Sequence, residues 1–529
     1  MRKIAGLLAL VFVTAAACWR GASPPEPQEA EPSLVVFVVV DQLRGDLLDR
    51  YDEVFKGGLR TLLDAGMVFE GASHRHAQTT TAVGHATLST GVVPSRHGLA
   101  GNSWTERRAD GSLASVYAVA DSLSPILGLP DAPGRSPANL MRDGLADWVL
   151  ANDPEARVVS LSTKDRAAIP MAGRAPGHVY WIAPAQGRFV TSVHYRDRYP
   201  GWIEDFNRLR MPTLVGDSVW EREASPSMQA LARPDPAPFE GDGVHTVFPH
   251  RRAVERPGPL PAAQYVWAAR TPAPDQAVLE LATVAVDELE LGRRESIDYL
   301  ALAFSQTDYV GHDYGPLSQE QLENLLHLDR VLGELLEMLD ERVGQGRWVL
   351  GLSADHGVMT IPEWRQQTGG WARRLNAAAV RQIRATAARA AARGASQEDA
   401  RRRVASAVEA IEGVARVYDP TELQAPGPDT LATLFAAGLY PGRRTGLLAA
   451  YDLDLLLEES VLLYPGRGTT HGTPYWHDRH VPFILYGPGV PSGRRTDVAV
   501  YTTDMAPSLA GLVGISVPSD LDGRVLTPR

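Results

Sequence analysis

The sequence predicts an α/β fold built on a mostly parallel central sheet. Three observations predict it: apolar, β-branched runs recur along the chain, acidic residues follow them, and a leucine-rich helical stretch separates two of them. The run at residues 34–40 (LVVFVVV) has no polar position, as a strand buried on both faces requires, and it runs straight into Asp41. Residues 296–304 (SIDYLALAF) precede Asp308, and residues 348–354 (WVLGLSA) precede Asp355. A fourth candidate strand, residues 481–486 (VPFILY), lies late in the chain. Ligands of open α/β sheets gather at the carboxyl ends of the strands, so these acids stand where a site is expected.

Between the strands, residues 318–341 carry Leu322, Leu325, Leu328, Leu332, Leu335 and Leu339 at helical spacing, which predicts a helix laid against the sheet. Residues 376–404 are rich in Ala and Arg and weakly amphipathic, and read as a peripheral helical insertion. The Pro- and Trp-containing region from about 104 to 277 lacks a regular strand and helix alternation and reads as a cap. The chain of 529 residues is therefore expected to hold one catalytic domain, residues 34–529, with insertions at about 104–277 and 365–465.

The first residues read as an export signal: Arg2 and Lys3 precede an apolar run at 4–13 and the small residues Ala15, Ala16 and Ala17. That run is too short to span a bilayer. Cys18, the only cysteine, stands where bacterial lipoproteins carry the residue that is lipidated after cleavage, although Ala15 replaces the usual leucine. A lipid anchor at Cys18 and simple cleavage to a soluble periplasmic protein both stay open, and either places the protein outside the cytoplasm. Residues 19–33 read as a flexible tether. A single cysteine excludes an internal disulfide framework and a cysteine-based zinc site. The net charge of −11 argues against a nucleic-acid groove, but a small anionic substrate needs only local cations.

Six metal-ligand residue types cluster at or after the strand ends: Asp41, Asp308 with His312, Asp355 with His356, and His471. Two triads of such residues suit two zinc ions. Any one of them alone is better explained as a helix cap or a hydrogen-bonded histidine. The stretch TTTAVGHATLSTG from Thr79 offers a helix start whose free N–H groups face an anion, or simply a Thr-rich N-cap.

In these pieces the sequence resembles the alkaline phosphatase superfamily, and within it the PafA-type alkaline phosphatases. The matching segments are D-Q at Asp41, T-A-V-G-H from Thr81, G-N-S-W from Gly101, S-T-K-D-R from Ser162, T-D-Y-V-G-H from Thr307, A-D-H-G from Ala354 and T-T-H-G from Thr469, in the family's order. The resemblance implies a three-layer α/β/α sandwich and two zinc ions, one held by Asp308, His312 and His471, the other by Asp41, Asp355 and His356. It implies Thr81 as the nucleophile on the second zinc, with Asn102, Lys164 and Arg166 contacting the transferred phosphoryl group. His74, His76, His85, His97, His477 and His480 match no ligand position and are expected to be structural.

A monoester dianion concentrates negative charge on its nonbridging oxygens, so cations aimed there favour monoesters over diesters. Lys164 and Arg166 meet that need, although on spacing alone they read as a solvated turn. The expected substrates are therefore small phosphate monoesters. A phosphodiesterase or nucleotide pyrophosphatase with the same metals is the alternative. A sulfatase would need a C/S-x-P-x-R motif, and a silent binding protein would have lost ligands.

Overall fold

The computed structural model describes residues 31–216, 219–252, 260–464 and 466–526. The expected signal segment, Cys18 and all but the end of the tether lie outside the described residues. In chain order the elements that build the site are β1 (Leu34–Val40), β2 (Met67–Phe69), α1 (Thr81–Thr90), the hairpin β3 (Ser103–Arg107) and β4 (Leu113–Tyr117), β5 (Val158–Ser162), α2 (Asp165–Met171), β6 (His178–Ala183), β7 (Arg188–Val190), α3 (Ala273–Glu288), β8 (Asp298–Phe304), α4 (Gln306–Tyr314), α5 (Gln319–Leu339), β9 (Trp348–Ser353), α6 (Ala377–Ala391), α7 (Gln397–Glu409), β10 (Phe483–Tyr486), β11 (Arg494–Thr496) and α8 (Met505–Leu512).

Nine strands form one sheet in the order β11-β2-β10-β9-β1-β8-β5-β6-β7. Its centre, β9-β1-β8-β5-β6, is wholly parallel, while β10 and β7 join it antiparallel. Every residue of β1 is buried. Val36, Val38 and Val40 share one core with Leu322, Leu325 and Leu328 of α5 and Ala282 of α3, whereas Val35, Phe37 and Val39 share a second with Met505 and Leu509 of α8. Successive strand residues point to opposite faces, so the uniformly apolar run feeds both cores and three layers result. Ser318 caps α5 through its hydroxyl on the Gln321 N–H, and the six expected leucines are all buried.

The cap expected at 104–277 divides. β5, β6 and β7 enter the central sheet and α3 packs beneath it, so much of this span is scaffold. The alternation was hidden because these strands are short and the irregular segments lie on either side of the unit they form with α2. The second insertion builds a small core of its own from Ile383, Ala387, Val404, Val408, Val414 and Leu453. Contrary to the weak amphipathy expected for residues 376–404, α6 and α7 are as amphipathic as α5, and their narrow apolar faces, Ile383 with Ala387 and Val404 with Val408, close on this local core. The Arg443–Arg444 strand pairs with Thr105 and Glu106 of β3, joining the second insertion to the hairpin of the first. Among the described residues, no helix is long and apolar enough to cross a membrane.

Candidate active site

The expected residues converge at the carboxyl rim of the parallel strands. Asp41 follows β1, Lys164 and Arg166 follow β5, Asp308 and His312 sit on α4 after β8, and Asp355 and His356 follow β9. His471 arrives from a loop before β10. Two groups form: Asp308, His312 and His471, and Asp41, Asp355 and His356. Within each group, one ligand atom per residue lies within 4.8 Å of the others. His312 Nε2 is 3.1 Å and His471 Nε2 3.6 Å from Asp308 Oδ1. His356 Nε2 is 3.5 Å from Asp41 Oδ1 and 3.4 Å from Asp355 Oδ2. The two groups touch, since the His356 and His471 rings stack with centroids 3.6 Å apart.

The donor chemistry of both groups fits a metal. Each histidine turns Nδ1 to a backbone carbonyl: His312 to Thr469 at 2.8 Å, His471 to Thr79 at 2.6 Å and His356 to Gly357 at 3.0 Å. A carbonyl can only accept, so the proton sits on Nδ1 and Nε2 presents a lone pair inward. Asp41 Oδ1, Asp355 Oδ2 and His356 Nε2 are buried without a hydrogen-bond partner. Buried polar atoms are seldom left so, and three in one group mark a place made for a cation.

Electrostatics point the same way. Burial, then the neighbouring Asp308 and Asp355, push the Asp41 carboxyl well above its usual range. Burial also opposes ionisation of Asp308, but His312 and Lys164 outweigh it and hold that carboxyl well below its usual range. The Lys164 ammonium bridges the groups, 2.6 Å from Asp41 Oδ2 and 2.5 Å from Asp308 Oδ2. Burial disfavours this charge, yet Asp308 and Asp41 together raise the amine above its ordinary value.

Thr81 is the first residue of α1, almost fully buried, and Thr80 is the N-cap. The Thr80 side chain makes no capping bond, so the hydroxyl-rich stretch is not serving as a conventional cap. Asn102 Oδ1 instead accepts the Ala82 N–H at 2.9 Å. Two glycines of the matching segments allow close approach. A Cβ on Gly84 would lie 2.1 Å from Asp355 O, and one on Gly311 would lie 2.0 Å from Gln42 Oε1.

Gln42 and His85 carry parts of the site that residue types did not reveal. Gln42 has φ of +68°, costly for a residue with a Cβ. There its N–H donates to Asp355 Oδ1 at 3.0 Å and its amide to Asp308 Oδ1 at 2.7 Å, so one residue ties both groups together. The D-Q pair was the only signal, and it says nothing of φ. His85, one turn after Thr81, directs Nδ1 to Thr81 O at 2.9 Å and lies 3.2 Å from Asp355 Oδ2. His74, His76 and His97 lie outside both groups and bond to Thr502, Ala354 and Thr87, while His477 and His480 meet Asp478 and Glu70 O.

A parallel α/β/α scaffold with two three-residue donor groups beside a threonine at a helix N-terminus is an arrangement of the alkaline phosphatase superfamily. The profile described as type I phosphodiesterase / nucleotide pyrophosphatase matches residues 35–432, and the chain belongs to that family. It is 30% identical to the alkaline phosphatase PafA of Elizabethkingia meningoseptica, over 94% of each chain. It is 30% identical to the alkaline phosphatase PhoV of Synechococcus elongatus, over 98% of each. The crystal structure of wild-type PafA superposes with a TM-score of 0.84 at 28% identity, covering 94% of this chain and 98% of the other. The family's name is that of the diester-cleaving alternative, whereas these full-length relatives are named alkaline phosphatases.

Proposed function

We propose that the protein is an exported phosphate-monoester hydrolase of the alkaline phosphatase type, acting through Thr81 with two zinc ions. The observation that carries this reading is the convergence of two metal-suited groups, Thr81, and the cations Lys164 and Arg166 on one rim. The full-length likeness to proteins named alkaline phosphatase supports it.

Asp308, His312 and His471 would hold one ion, and Asp41, Asp355 and His356 the other. Bound zinc would lower the pKa of the Thr81 hydroxyl and offset charge developing on the departing oxygen. Thr81 Oγ forms a bond to phosphorus as the ester P–O bond breaks and the alcohol leaves. Water then attacks phosphorus from the vacated side, releasing phosphate and restoring the hydroxyl, so configuration at phosphorus is retained. Asn102, whose Oδ1 is occupied by the Ala82 N–H, turns its amide N–H groups toward a phosphoryl oxygen. Lys164 and Arg166 offset the second negative charge of a monoester. Export through a signal ending near residue 18, with either a lipid anchor at Cys18 or simple cleavage to a soluble periplasmic protein, belongs to the same proposal and rests on the N-terminal sequence.

Metal analysis of the purified protein, with turnover of an aryl phosphate compared with its methyl diester, tests the proposal. Zinc near two per chain and a strong monoester preference are expected. A diester preference would establish the alternative that the family's name favours. Thr81→Ala should keep the metal and lose most monoester turnover.

A further inference from the structure

The carboxylate next to Arg166 ought to neutralise it, and does not. Asp165 Oδ1 accepts the Tyr117 hydroxyl at 2.5 Å and the Arg166 backbone N–H at 2.7 Å. Asp165 Oδ2 accepts Arg135 Nε at 2.5 Å. The Arg135 guanidinium also lies over the Tyr117 ring, 4.8 Å from its centroid. Asp165 is thereby consumed by Arg135 and Tyr117. Arg166 forms no ion pair with any described carboxylate and its Nε is buried without a partner, while the neighbouring Tyr117 favours its charge. A tyrosine hydroxyl can accept from a guanidinium while donating to a carboxylate, so Tyr117, already donating to Asp165, has a lone pair to offer the Arg166 guanidinium.

We propose that Tyr117, Asp165 and Arg135 are positioning residues that aim the Arg166 guanidinium at the phosphoryl group and keep its charge free for a dianion. Tyr117 closes the β3–β4 hairpin and Arg135 lies in the loop beyond it, so this part of the first insertion sets the preference for monoesters. The inference rests on the role proposed for Arg166 and assigns the residues that make that role achievable. An arginine beside an unsaturated aspartate would fold onto it and offer a substrate little net charge.

The test is a double-mutant cycle on the zinc-loaded enzyme, with kcat/KM for an aryl phosphate and its methyl diester, and inhibition by inorganic phosphate. Tyr117→Phe should lower monoester kcat/KM and weaken phosphate inhibition by about 10-fold, because a hydrogen bond to a charged group is lost. The diester should change by less than about 2-fold, and in an Arg166→Ala background Tyr117→Phe should add no more than that. Arg135→Ala, which releases Asp165 to pair with Arg166, should reproduce the selective loss. Equal losses on both esters, or a Tyr117→Phe effect undiminished in the Arg166→Ala background, would overturn the positioning role. An unchanged monoester rate in Arg166→Ala alone would instead remove Arg166 from the proposed function, so the two failures are distinguishable.

Discussion

Asn102 Oδ1 accepts the Ala82 N–H across 2.9 Å, and this single bond sets which way the Asn102 amide faces. The acceptor is occupied by the helix that begins with Thr81, so only the NH₂ end is left for a ligand. Asn102→Ala should lower monoester kcat/KM by roughly 100-fold, the usual effect of removing one donor to a developing anion. Asn102→Asp keeps the acceptor for Ala82 but replaces the donor with negative charge. It should be slower than Asn102→Ala in steady-state assays. A faster Asn102→Asp enzyme would mean that the amide does not face the phosphoryl group.

Lys164 bridges Asp41 and Asp308, so its loss removes the ammonium from the buried Asp41 carboxyl and leaves Asp308 with His312 and His471 alone when metal is removed. Lys164→Met should cost the chelated protein about 3–5 kcal/mol, the range for breaking a buried pair. Zinc should recover a larger share of stability in Lys164→Met than in wild type. Urea unfolding with and without chelator measures both effects, and an unchanged chelated midpoint would contradict the bridge.

Gly84 packs against the backbone of Asp355, where a Cβ would approach the carbonyl to 2.1 Å. That carbonyl cannot move without shifting the Asp355 carboxylate. Gly84→Ala should therefore cost more than the small helix-propensity gain of alanine returns, and should weaken zinc retention along with stability. Competition with a chromogenic chelator would detect this; tighter retention is the contrary outcome.

His97 is fully buried, with Nε2 on Thr87 Oγ1, and burial lowers its imidazole to about 3. An unfolded histidine titrates near 6.5. Between these values the unfolded chain binds a proton that the folded chain refuses, so stability falls as pH falls through this window. The slope is up to about 1.4 kcal/mol per pH unit for this one group. Above pH of about 6.5 the contribution is flat. His97→Asn should reduce the acid-side slope by up to about one proton in denaturant unfolding followed from pH 7 to pH 4. An unaltered slope would show that His97 does not stay neutral.

Much of the scaffold could be read from residues 34–40, where no polar position interrupts the run, because only a strand buried on both faces tolerates that pattern. The α5 leucines were equally legible, since a 3.6-residue period has one structural meaning. β5, β6 and β7 were folded into a cap because strands this short carry no clear period and irregular segments flank the unit on both sides. At the site, the acids and histidines could be nominated by type and order. Gln42 could not, because its role depends on a positive φ and on two carboxylates that arrive from distant strands.

The parallel core, the acids at its strand ends and the order of the matching segments were legible in the residues alone, because all are local patterns of residue type. The pairing of Asp41 with Asp355 and His356, and of Asp308 with His312 and His471, was implied by the resemblance and by no local pattern, and the fold gathers the same two groups; that Lys164 bridges Asp41 and Asp308, and that Asp165 is taken up by Arg135 and Tyr117, was visible in the tertiary structure alone. The difference is one of range. Strand and helix patterns are written within a few residues, whereas the partner of a charge is set by which loops the sheet brings to one rim, and such loops can be distant in the chain, Asp41 and Lys164 being separated by 123 residues.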